Sequence, residues 1–323
     1  MQTEIVSADS ETDIARAVGL LQAGELVALP TETVYGLAAD AFNPVAVAKI
    51  FEAKQRPRFD PLIVHLPNRE ALDDIAILDT QLAARLINRF WPGPLTLILG
   101  RQRRIPDIVT AGLETVAIRM SAHPVFAEIA ARLGRPLAAP SANRFGHISP
   151  TAASHVLDEL DGRIPLIVDG GSAPHGLEST IVQIINNQIQ ILRRGPVTAE
   201  MLGEFAAVAE PISSGTIVAP GQFRSHYAPR TKLMLVSSLE DFSVPSGKRA
   251  GALYFGAARK TKQFFTTCRL SERADLREAA ANLFRMLREL DAEKIDLIVA
   301  ERLPENGLGA AINERLTRAA TTR

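Results

Sequence analysis

Short apolar runs interleaved with helical segments fill residues 1–200, and they constrain the fold more than any other feature. Five stretches have apolar residues at helical spacing, and the runs between them have the length of buried strands. The strands are too many and too short for simple βαβ repetition, so the sequence predicts a twisted mixed sheet flanked by helices. The helical stretches are DIARAVGLLQAGE, PVAVAKIFEAK, QLAARLINRFW, PVFAEIAARLG and TAASHVLDELD, and the strand-like runs are LVALP, LIVHL, LTLIL, TVAIRM, PLAAP and LIVDG.

A β-hairpin is expected at the end of this region. The stretch STIVQIINNQIQILRRG alternates apolar and polar residues on both sides of Asn186-Asn187. Two consecutive asparagines suit the positive φ angles of a primed two-residue turn. The sequence therefore predicts two strands joined at this dipeptide.

A linker and a second domain follow. Residues 211–231 are rich in Pro, Gly and Ser, yet they contain Phe223, His226 and Tyr227, whose rings are costly to leave in water. Beyond them strands alternate with helices, which predicts a small parallel sheet. We therefore expect domains at 1–210 and 232–323, joined by the linker 211–231.

Composition narrows the class of protein. Basic and acidic residues balance at 36 each, so no global field favours nucleic acid or a membrane as the main partner. The chain has no apolar run long enough to cross a membrane, and its acidic start lacks the apolar segment of a secretory signal. The single Cys268 fits a structural role in a reducing compartment, so we expect a cytoplasmic protein.

Motifs of several catalytic classes are absent from the sequence. The histidines show no H-E-x-x-H spacing, and the chain has no G-x-S-x-G nucleophile elbow. It also has no G-x-x-x-x-G-K-[ST] phosphate loop. We therefore expect neither a metal site built from protein ligands alone nor a hydrolase triad.

The stretch PTETVYGLAADAF, residues 30–42, raises the first question about function. It follows the apolar run 26–29 and combines Pro, Thr, Glu and Tyr in what we interpret as one loop. One interpretation is a turn that lines a pocket with hydroxyl groups. The other is a threonine turn that caps the helix beginning at Pro44.

Three cations lie within five residues in AKQRPRFDPLIVH. Lys54, Arg56 and Arg58 follow a helix and precede a strand. A helix carboxyl end favours cations through its dipole, which would explain them without a ligand. Clustered cations also bind anions, and polyphosphate is the commonest such ligand.

Polar groups follow several other strands. Ser141 and Asn143 lie in PLAAPSANRFGHISPT and could cradle phosphate, although Ser149 could simply cap a helix that starts at Pro150. Arg119 ends an apolar strand and is either functional or solvated. Ser179 enters the hairpin after a flexible Asp169-Gly170-Gly171 break. These cations, hydroxyls and amides, without a nucleophile, indicate a nucleoside triphosphate site that works by positioning and charge stabilisation.

Together these stretches resemble the threonylcarbamoyl-AMP synthase family, which has a YrdC-like catalytic domain. The matching segments occur in family order across residues 15–200: PTETVYGL, KIFEAKQRP…PLIVH, FWPGPLTLIL, VAIRMSAHP, APSANRFGHISPT, LESTIV and ILRRGP. The stretch APGQFRSHYAP and the remaining tail resemble the longer form, in which a linker joins a Rossmann-like domain. The resemblance covers nearly the whole chain and implies that fold.

The resemblance implies a nucleotidyltransferase that makes threonylcarbamoyl-adenylate and pyrophosphate from L-threonine, bicarbonate and ATP. It implies Mg²⁺ bound with ATP and no tightly bound organic cofactor. The product would pass to the machinery that modifies adenosine next to the anticodon of tRNA, and weak direct tRNA binding would be compatible with this role.

The resemblance also assigns residues. For ATP it implies the catalytic group Lys54, Arg56, Ser141 and Asn143, together with Asp60, Thr115, Ser149 and Arg193, and with Tyr227 or His226 closing over the nucleotide. For L-threonine it implies Thr33, His65, Arg119, Ala139 and Ser179. This chain departs from the family at Asp60, where Asn is frequent, and at Arg194, an additional cation.

Two other functions remain open at this stage. The chain could be a module without catalysis that binds double-stranded RNA or tRNA through two basic patches, one formed by arginines 85, 89, 101, 103 and 104 and the other by Lys54, Arg56 and Arg58. Carbamoyl-transfer chemistry of related hydrogenase-maturation proteins is the second alternative. Those proteins carry zinc-finger cysteines, and a single cysteine argues against it.

Overall fold

The computed structural model of the chain describes residues 2–209, 219, 227–257 and 261–321. These residues form two compact units. The first spans Met1–Phe145, Pro150–Pro174 and Glu178–Gln222, and the second spans Gly146–Ser149, His175–Leu177 and Phe223–Arg323. Most of the predicted linker, including His226, lies outside the described residues, and the predicted domain boundaries stay predictions.

The first unit is a mixed α/β structure. Its strands are β1 (Glu4–Ser7), β2 (Val27–Leu29), β3 (Gly36–Asp40), β4 (Ile63–His65), β5 (Ala76–Ile77), β6 (Leu95–Arg101), β7 (Thr115–Arg119), β8 (Leu137–Ala138), β9 (Leu166–Asp169), β10 (Thr180–Ile185), β11 (Gln188–Arg193) and β12 (Val208–Ala209). Its helices are α1 (Glu11–Gln22), α2 (Pro44–Lys54), α3 (Gln81–Phe90), α4 (Asp107–Thr110), α5 (Pro124–Leu133), α6 (Ala153–Leu160) and α7 (Ala199–Gly203).

One large mixed sheet organises this unit, as predicted. Its strand order is β1-β9-β2-β3-β8-β4-β7-β6-β10-β11-β12, with β5 paired to β6. The sheet contains parallel pairs such as β4·β7 and β6·β10 and antiparallel pairs such as β2·β3 and β6·β7. The predicted hairpin is confirmed as β10·β11, and its turn residues Asn186 and Asn187 have φ angles of 50° and 58°.

Alternate residues of the central strands face opposite apolar cores. Val27 and Leu29 pack with α1 and α5, whereas Ala28 packs in the larger core with α2, α3 and α6. The side-chain period of two in a strand sends neighbouring residues to opposite faces. Helices therefore cover both faces of the sheet, and its polar strand ends and connecting turns are left for the site.

The second unit contains a separate parallel sheet. Its strands are β13 (Leu233–Val236), β14 (Ala250–Tyr254), β15 (Thr266–Arg269) and β16 (Leu297–Glu301), in the order β13-β16-β14-β15. Its helices are α8 (Leu276–Ala292) and α9 (Gly307–Ala320). The alternation of strand and helix predicted this small parallel sheet, the family resemblance implied its Rossmann-like form, and the fold class is confirmed.

The structure corrects one prediction about the opening loop. Residues 36–40 form β3, which pairs antiparallel with β2, so the loop is only the turn 30–35. All five residues of β3 are buried. Its small side chains Gly, Ala and Ala carry little strand propensity, and tertiary pairing decides the conformation.

Among the described residues, no helix combines the length and apolar character required to span a membrane.

Candidate functional site

The turn between β2 and β3 is organised by Thr31. Its hydroxyl accepts the backbone N–H groups of Thr33 and Val34 at 3.1 and 3.2 Å and donates to the Val34 carbonyl at 2.6 Å. This closed local network is a threonine turn. It does not cap α2, because Asn43 is the N-cap of that helix, so that alternative is wrong.

Arg119 lies at the end of β7 and is buried, with 3% of its surface exposed. One guanidinium nitrogen, Nη1, donates to Thr33 Oγ1 at 2.9 Å, and Nη2 lies 2.6 Å from Glu32 Oε1. The other carboxylate oxygen of Glu32 accepts a hydrogen bond from Ser121 Oγ at 2.5 Å. The interpretation of Arg119 as a solvated strand end is therefore wrong.

Glu32 and Ser121 were missed by reasoning from the sequence. The available signal was a carboxylate between two threonines, in a turn that precedes a buried strand. Burial by itself raises the pKa of the Glu32 carboxyl, but the Arg119 charge and the Ser121 hydrogen bond outweigh it and lower the pKa to about 2. Glu32 is therefore ionised throughout the physiological range.

His65 and Ala139 lie beside this ion pair. His65 on β4 is paired in register with Arg119 on β7, and its ring is 4.7 Å from that of Phe126. Burial, assisted by the nearby Arg119 charge, lowers the pKa of His65 to about 3, so its imidazole is neutral near pH 7. The Ala139 N–H donates to the carbonyl of Ile63, two residues before His65 on β4, at 3.0 Å. The structure thus brings together Thr33, His65, Arg119 and Ala139, all four predicted for the amino-acid pocket.

Ser179, the fifth residue predicted for that pocket, contacts Arg193 on β11. Arg193 donates from Nε to the Ser179 carbonyl and from Nη2 to Ser179 Oγ, each at 3.0 Å. The Ser179 hydroxyl also lies 2.7 Å from Thr96 Oγ1, a partner that the sequence did not indicate. Ser179 is therefore joined directly to a residue predicted for the nucleotide side.

Lys54 ends α2 and is buried beneath the 141–143 turn. Its Nζ donates to the carbonyl oxygens of Ser141 and Asn143, both at 2.5 Å. Burial, together with the nearby Arg56 charge, lowers the pKa of Lys54 well below its usual value. Lys54 is thus in direct contact with the backbone of Ser141 and Asn143, two residues that were predicted with it for the triphosphate.

Arg56 and Asp60 form a second buried ion pair. Arg56 Nη2 lies 2.7 Å from Asp60 Oδ2 and donates to the Pro61 carbonyl at 2.7 Å. Asp60 is fully buried, and its Oδ1 has no hydrogen-bond partner among the described residues. Burial raises the pKa of Asp60 against the opposing charges of Arg56, Lys54 and Arg193. Asp60 therefore sits among three cations predicted to bind triphosphate.

The remaining predicted positions are more scattered. Arg58 is exposed, so the three-cation cluster divides into two buried members and one surface member. Thr115 begins β7 and is half-buried. Ser149 is fully buried and belongs to the second unit, where Tyr227 is stacked on Phe284.

Two further sequence interpretations are corrected. Helix α6 begins at Ala153 with Ala152 as its N-cap, so Ser149 does not cap a helix that starts at Pro150. The Asp169-Gly170-Gly171 segment is held in place, because the Tyr35 hydroxyl donates to the Gly171 carbonyl at 2.7 Å and accepts from Gly170 N–H at 3.2 Å.

The described residues contain no cluster of three or more His, Cys, Asp or Glu side chains that could bind a metal ion. Asp60 accordingly belongs to no such cluster.

Two family models match the chain. The model described as Telomere recombination, for the Sua5_yciO_yrdC family, matches residues 19–195. The model described as Threonylcarbamoyl-AMP synthase, C-terminal domain, matches residues 197–321. The two matches together span most of the chain.

Individual relatives and a solved structure match this chain over nearly its whole length. Threonylcarbamoyl-AMP synthase of Bacillus subtilis (strain 168) is 41% identical over 332 residues, covering 97% of this chain and 94% of that protein. The protein of the same name from Pyrococcus abyssi is 38% identical over 330 residues, covering 97% and 95%. The crystal structure of P. abyssi Sua5 complexed with L-threonine aligns with a TM-score of 0.88 and 35% identity, covering 99% of this chain and 98% of that one.

Proposed function

The chain belongs to the threonylcarbamoyl-AMP synthase family and is an enzyme of that family, and from this premise we propose that it forms L-threonylcarbamoyladenylate and pyrophosphate from L-threonine, bicarbonate and ATP. The product would serve the modification of adenosine next to the anticodon of tRNA, in the cytoplasm. The observation that carries the proposal is the contact of Ser179 with Arg193, because it joins an amino-acid pocket to a cationic pocket.

The amino-acid pocket has the groups that L-threonine requires. Arg119 supplies guanidinium donors for a carboxylate, and Thr33 lies against it at 2.9 Å. His65 is neutral and buried, which suits contact with an apolar methyl group and avoids a second cation. The related P. abyssi protein was crystallised with L-threonine, which supports this assignment.

The cationic pocket suits a triphosphate. Lys54, Arg56 and Arg193 are all at least nine-tenths buried and surround Asp60. Charges in such a site act in a low effective dielectric, so their attraction for phosphate oxygens is strong. Lys54 must release the Ser141 and Asn143 carbonyls, or share its protons with them, when ATP binds.

No protein nucleophile is needed for the proposed reaction. The threonine amine combines with bicarbonate to give a carbamate and water, and a carbamate oxygen then attacks the α-phosphorus while pyrophosphate leaves. Lys54 and Arg56 would neutralise the approach of the two anions, and positioning of the reactants can supply roughly 7 to 11 kcal/mol of the barrier.

Asp60 fits a role beside a metal ion bound with ATP. Its buried Oδ1 has no hydrogen-bond partner among the described residues, and Mg²⁺ in nucleotide sites is typically held by one or two carboxylates plus phosphate oxygens. When bound, such an ion would neutralise charge on the phosphates. The assignment of Tyr227 or His226 to the nucleotide stays a prediction from the family resemblance.

The RNA-binding alternative is less well supported. Within the predicted basic patch, Arg101 is paired with Asp107 at 2.5 Å and with Glu114 at 3.3 Å. Arg104 is likewise paired with Asp74 at 3.1 Å. Two of the five arginines predicted for this patch are therefore paired with carboxylates.

Pyrophosphate release tests the proposed function. With ATP and bicarbonate present, L-threonine should support release far better than any other amino acid added alone. Replacing Lys54 or Arg56 by Ala should lower the rate about 10² to 10³-fold, because each removes a charge contact made in the transition state. Lys49→Ala is the matched control, since Lys49 lies on the same helix but pairs with the surface residue Glu25 at 2.7 Å. Near-normal turnover in Lys54→Ala or Arg56→Ala would remove the triphosphate assignment.

A further inference from the structure

A buried carboxylate stands next to the guanidinium that the proposed function assigns to the substrate carboxylate. Glu32 is 6% exposed and Arg119 is 3% exposed, and their nearest atoms are 2.6 Å apart. Glu32 is further fixed by Ser121, and Arg119 by Thr33. A negative charge this close to an anion-binding group needs a physical explanation, because it competes with the anion.

The hydrogen-bonding state of the pair is the first clue. Arg119 Nε and Nη2 and Glu32 Oε1 are buried, and none has a hydrogen-bond partner among the described residues. The contact between Nη2 and Oε1 is thus an approach of charges outside hydrogen-bonding geometry. Glu32 neutralises Arg119 without satisfying the Nε and Nη2 donors, which form one edge of the guanidinium fork. That edge is the shape that binds a carboxylate with two parallel hydrogen bonds.

Charge balance is the second clue. A buried guanidinium without a counter-ion is strongly unfavourable, so the free protein requires Glu32 or an equivalent charge. His65 is neutral near pH 7 and adds no charge. The Glu32–Arg119 pair therefore has no net charge, and an amino-acid zwitterion entering beside it keeps the pocket neutral. A carboxylic acid of the same shape but without an ammonium group would leave one negative charge in excess.

Resting on the proposed function, we infer that Glu32 is a positioning and specificity-determining residue, which holds Arg119 in place and makes the pocket prefer an amino-acid zwitterion over an anion of the same shape. Glu32 acts through Arg119 and through the charge of the pocket. Ser121 supports it by fixing the far oxygen of the carboxylate.

The experiment compares Glu32→Gln with wild type in the pyrophosphate-release assay. We expect the KM for L-threonine to rise about tenfold or more, since misplacement of a binding group by about 1 Å is costly, with a smaller change in kcat. The competitive inhibitor 3-hydroxybutanoate, which is threonine without its amine, supplies a second readout. Its inhibition constant relative to the threonine KM should fall about tenfold in Glu32→Gln, because the variant pocket carries one extra positive charge.

Three more variants separate position from charge. Glu32→Asp keeps the charge but shortens the side chain, so it should raise the threonine KM without changing the preference for the zwitterion. Ser121→Ala should raise the KM a few-fold, and it is the milder perturbation if Glu32→Gln unfolds. Glu25→Gln is the matched control, because Glu25 forms a half-exposed surface ion pair with Lys49 and its loss should change neither readout.

The outcomes distinguish this inference from the proposed function. A threonine KM that falls in Glu32→Gln would show that the carboxylate merely competes with substrate for Arg119. Unchanged KM and unchanged inhibitor preference, in Glu32→Gln or, if that unfolds, in Glu32→Asp and Ser121→Ala, would also overturn the inference. Failure of Arg119→Ala to weaken threonine binding would instead refute the pocket assignment on which it rests.

Discussion

Replacing His65 by Gln should reduce the loss in the free energy of unfolding that the first unit undergoes when the pH falls from 7 to 5. His65 is buried on β4 between Phe126 and the Glu32–Arg119 pair, and burial holds it in the neutral form. On unfolding, its imidazole returns to water and regains its ordinary pKa. Gln keeps a polar amide of similar length but cannot take up a proton.

The magnitude follows from the two pKa values. The pKa of His65 is lowered from 6.5 to about 3 in the folded protein, so the unfolded chain binds the proton more tightly. His65 therefore contributes fully to the free energy of unfolding above pH 6.5, and this contribution is lost as the pH falls from 6.5 towards 3. Linkage gives a loss of about 2 kcal/mol in the free energy of unfolding between pH 7 and pH 5. Glu32 does not contribute to the change in the free energy of unfolding between pH 7 and pH 5. Its pKa is lowered from 4.5 to about 2, so its contribution to stability is lost only below pH 4.5.

The assay is urea unfolding at pH 7 and pH 5, followed by tryptophan fluorescence. Trp91 is the single tryptophan of the chain and is buried in the larger core of the first unit, so its signal reports on that unit. Subtracting the pH 7 to 5 change in His65→Gln from that in wild type removes the contributions of other groups. Parallel losses in the two proteins would refute the neutral, buried state of His65, whatever their absolute stabilities.

Three further outcomes test the cationic and amino-acid pockets. ATP binding should weaken in Lys54→Met, because the variant loses the buried amine that lies against the 141–143 turn; calorimetric titration of ATP into both proteins measures this, and equal affinities would remove Lys54 from the nucleotide site. Asp60→Asn should weaken the dependence of ATP binding on Mg²⁺ if the buried carboxylate assists the ion, and an unchanged Mg²⁺ titration of nucleotide affinity would contradict that role. Serine should be a poor but detectable substrate, since a missing methyl costs about 1 to 3 kcal/mol, whereas valine should be rejected more strongly. Ser179→Ala should narrow the gap between threonine and valine chiefly by harming threonine, in part because Arg193 loses a hydrogen bond; kcat/KM values in which valine exceeds serine in wild type would reject this pocket.

Much of the fold could be predicted because its elements carry local signals. The helices α2 and α5 begin with Pro at their first positions, and the β10·β11 hairpin turns at Asn186-Asn187. Strand β3 was missed, since its Gly and Ala residues have no alternation of apolar and polar character and owe their extended form to pairing with β2 and β8. Strands β1 and β12, at the two ends of the strand order, were also missed.

The sequence could predict which residues belong to the site, but it could predict few of the contacts between them. The Lys54 contact with Ser141 and Asn143 matches the expected grouping. Glu32 was overlooked because a carboxylate in a turn is usually solvated, and only its burial against Arg119 identifies it as part of the pocket.

By itself, the sequence determined the elements that depend on neighbours along the chain: helix starts, the asparagine turn, the polar residues at strand ends and their family order. Tertiary structure alone decided which of those polar groups meet. Glu32 and Arg119 are distant in the chain, as are Lys54 and Asn143, and no local period relates them. Their pairing follows from the strand order of the mixed sheet, which brings β3, β8, β4 and β7 side by side. Burial makes these contacts necessary, because a charge that is removed from water must be matched by a partner within a few ångströms.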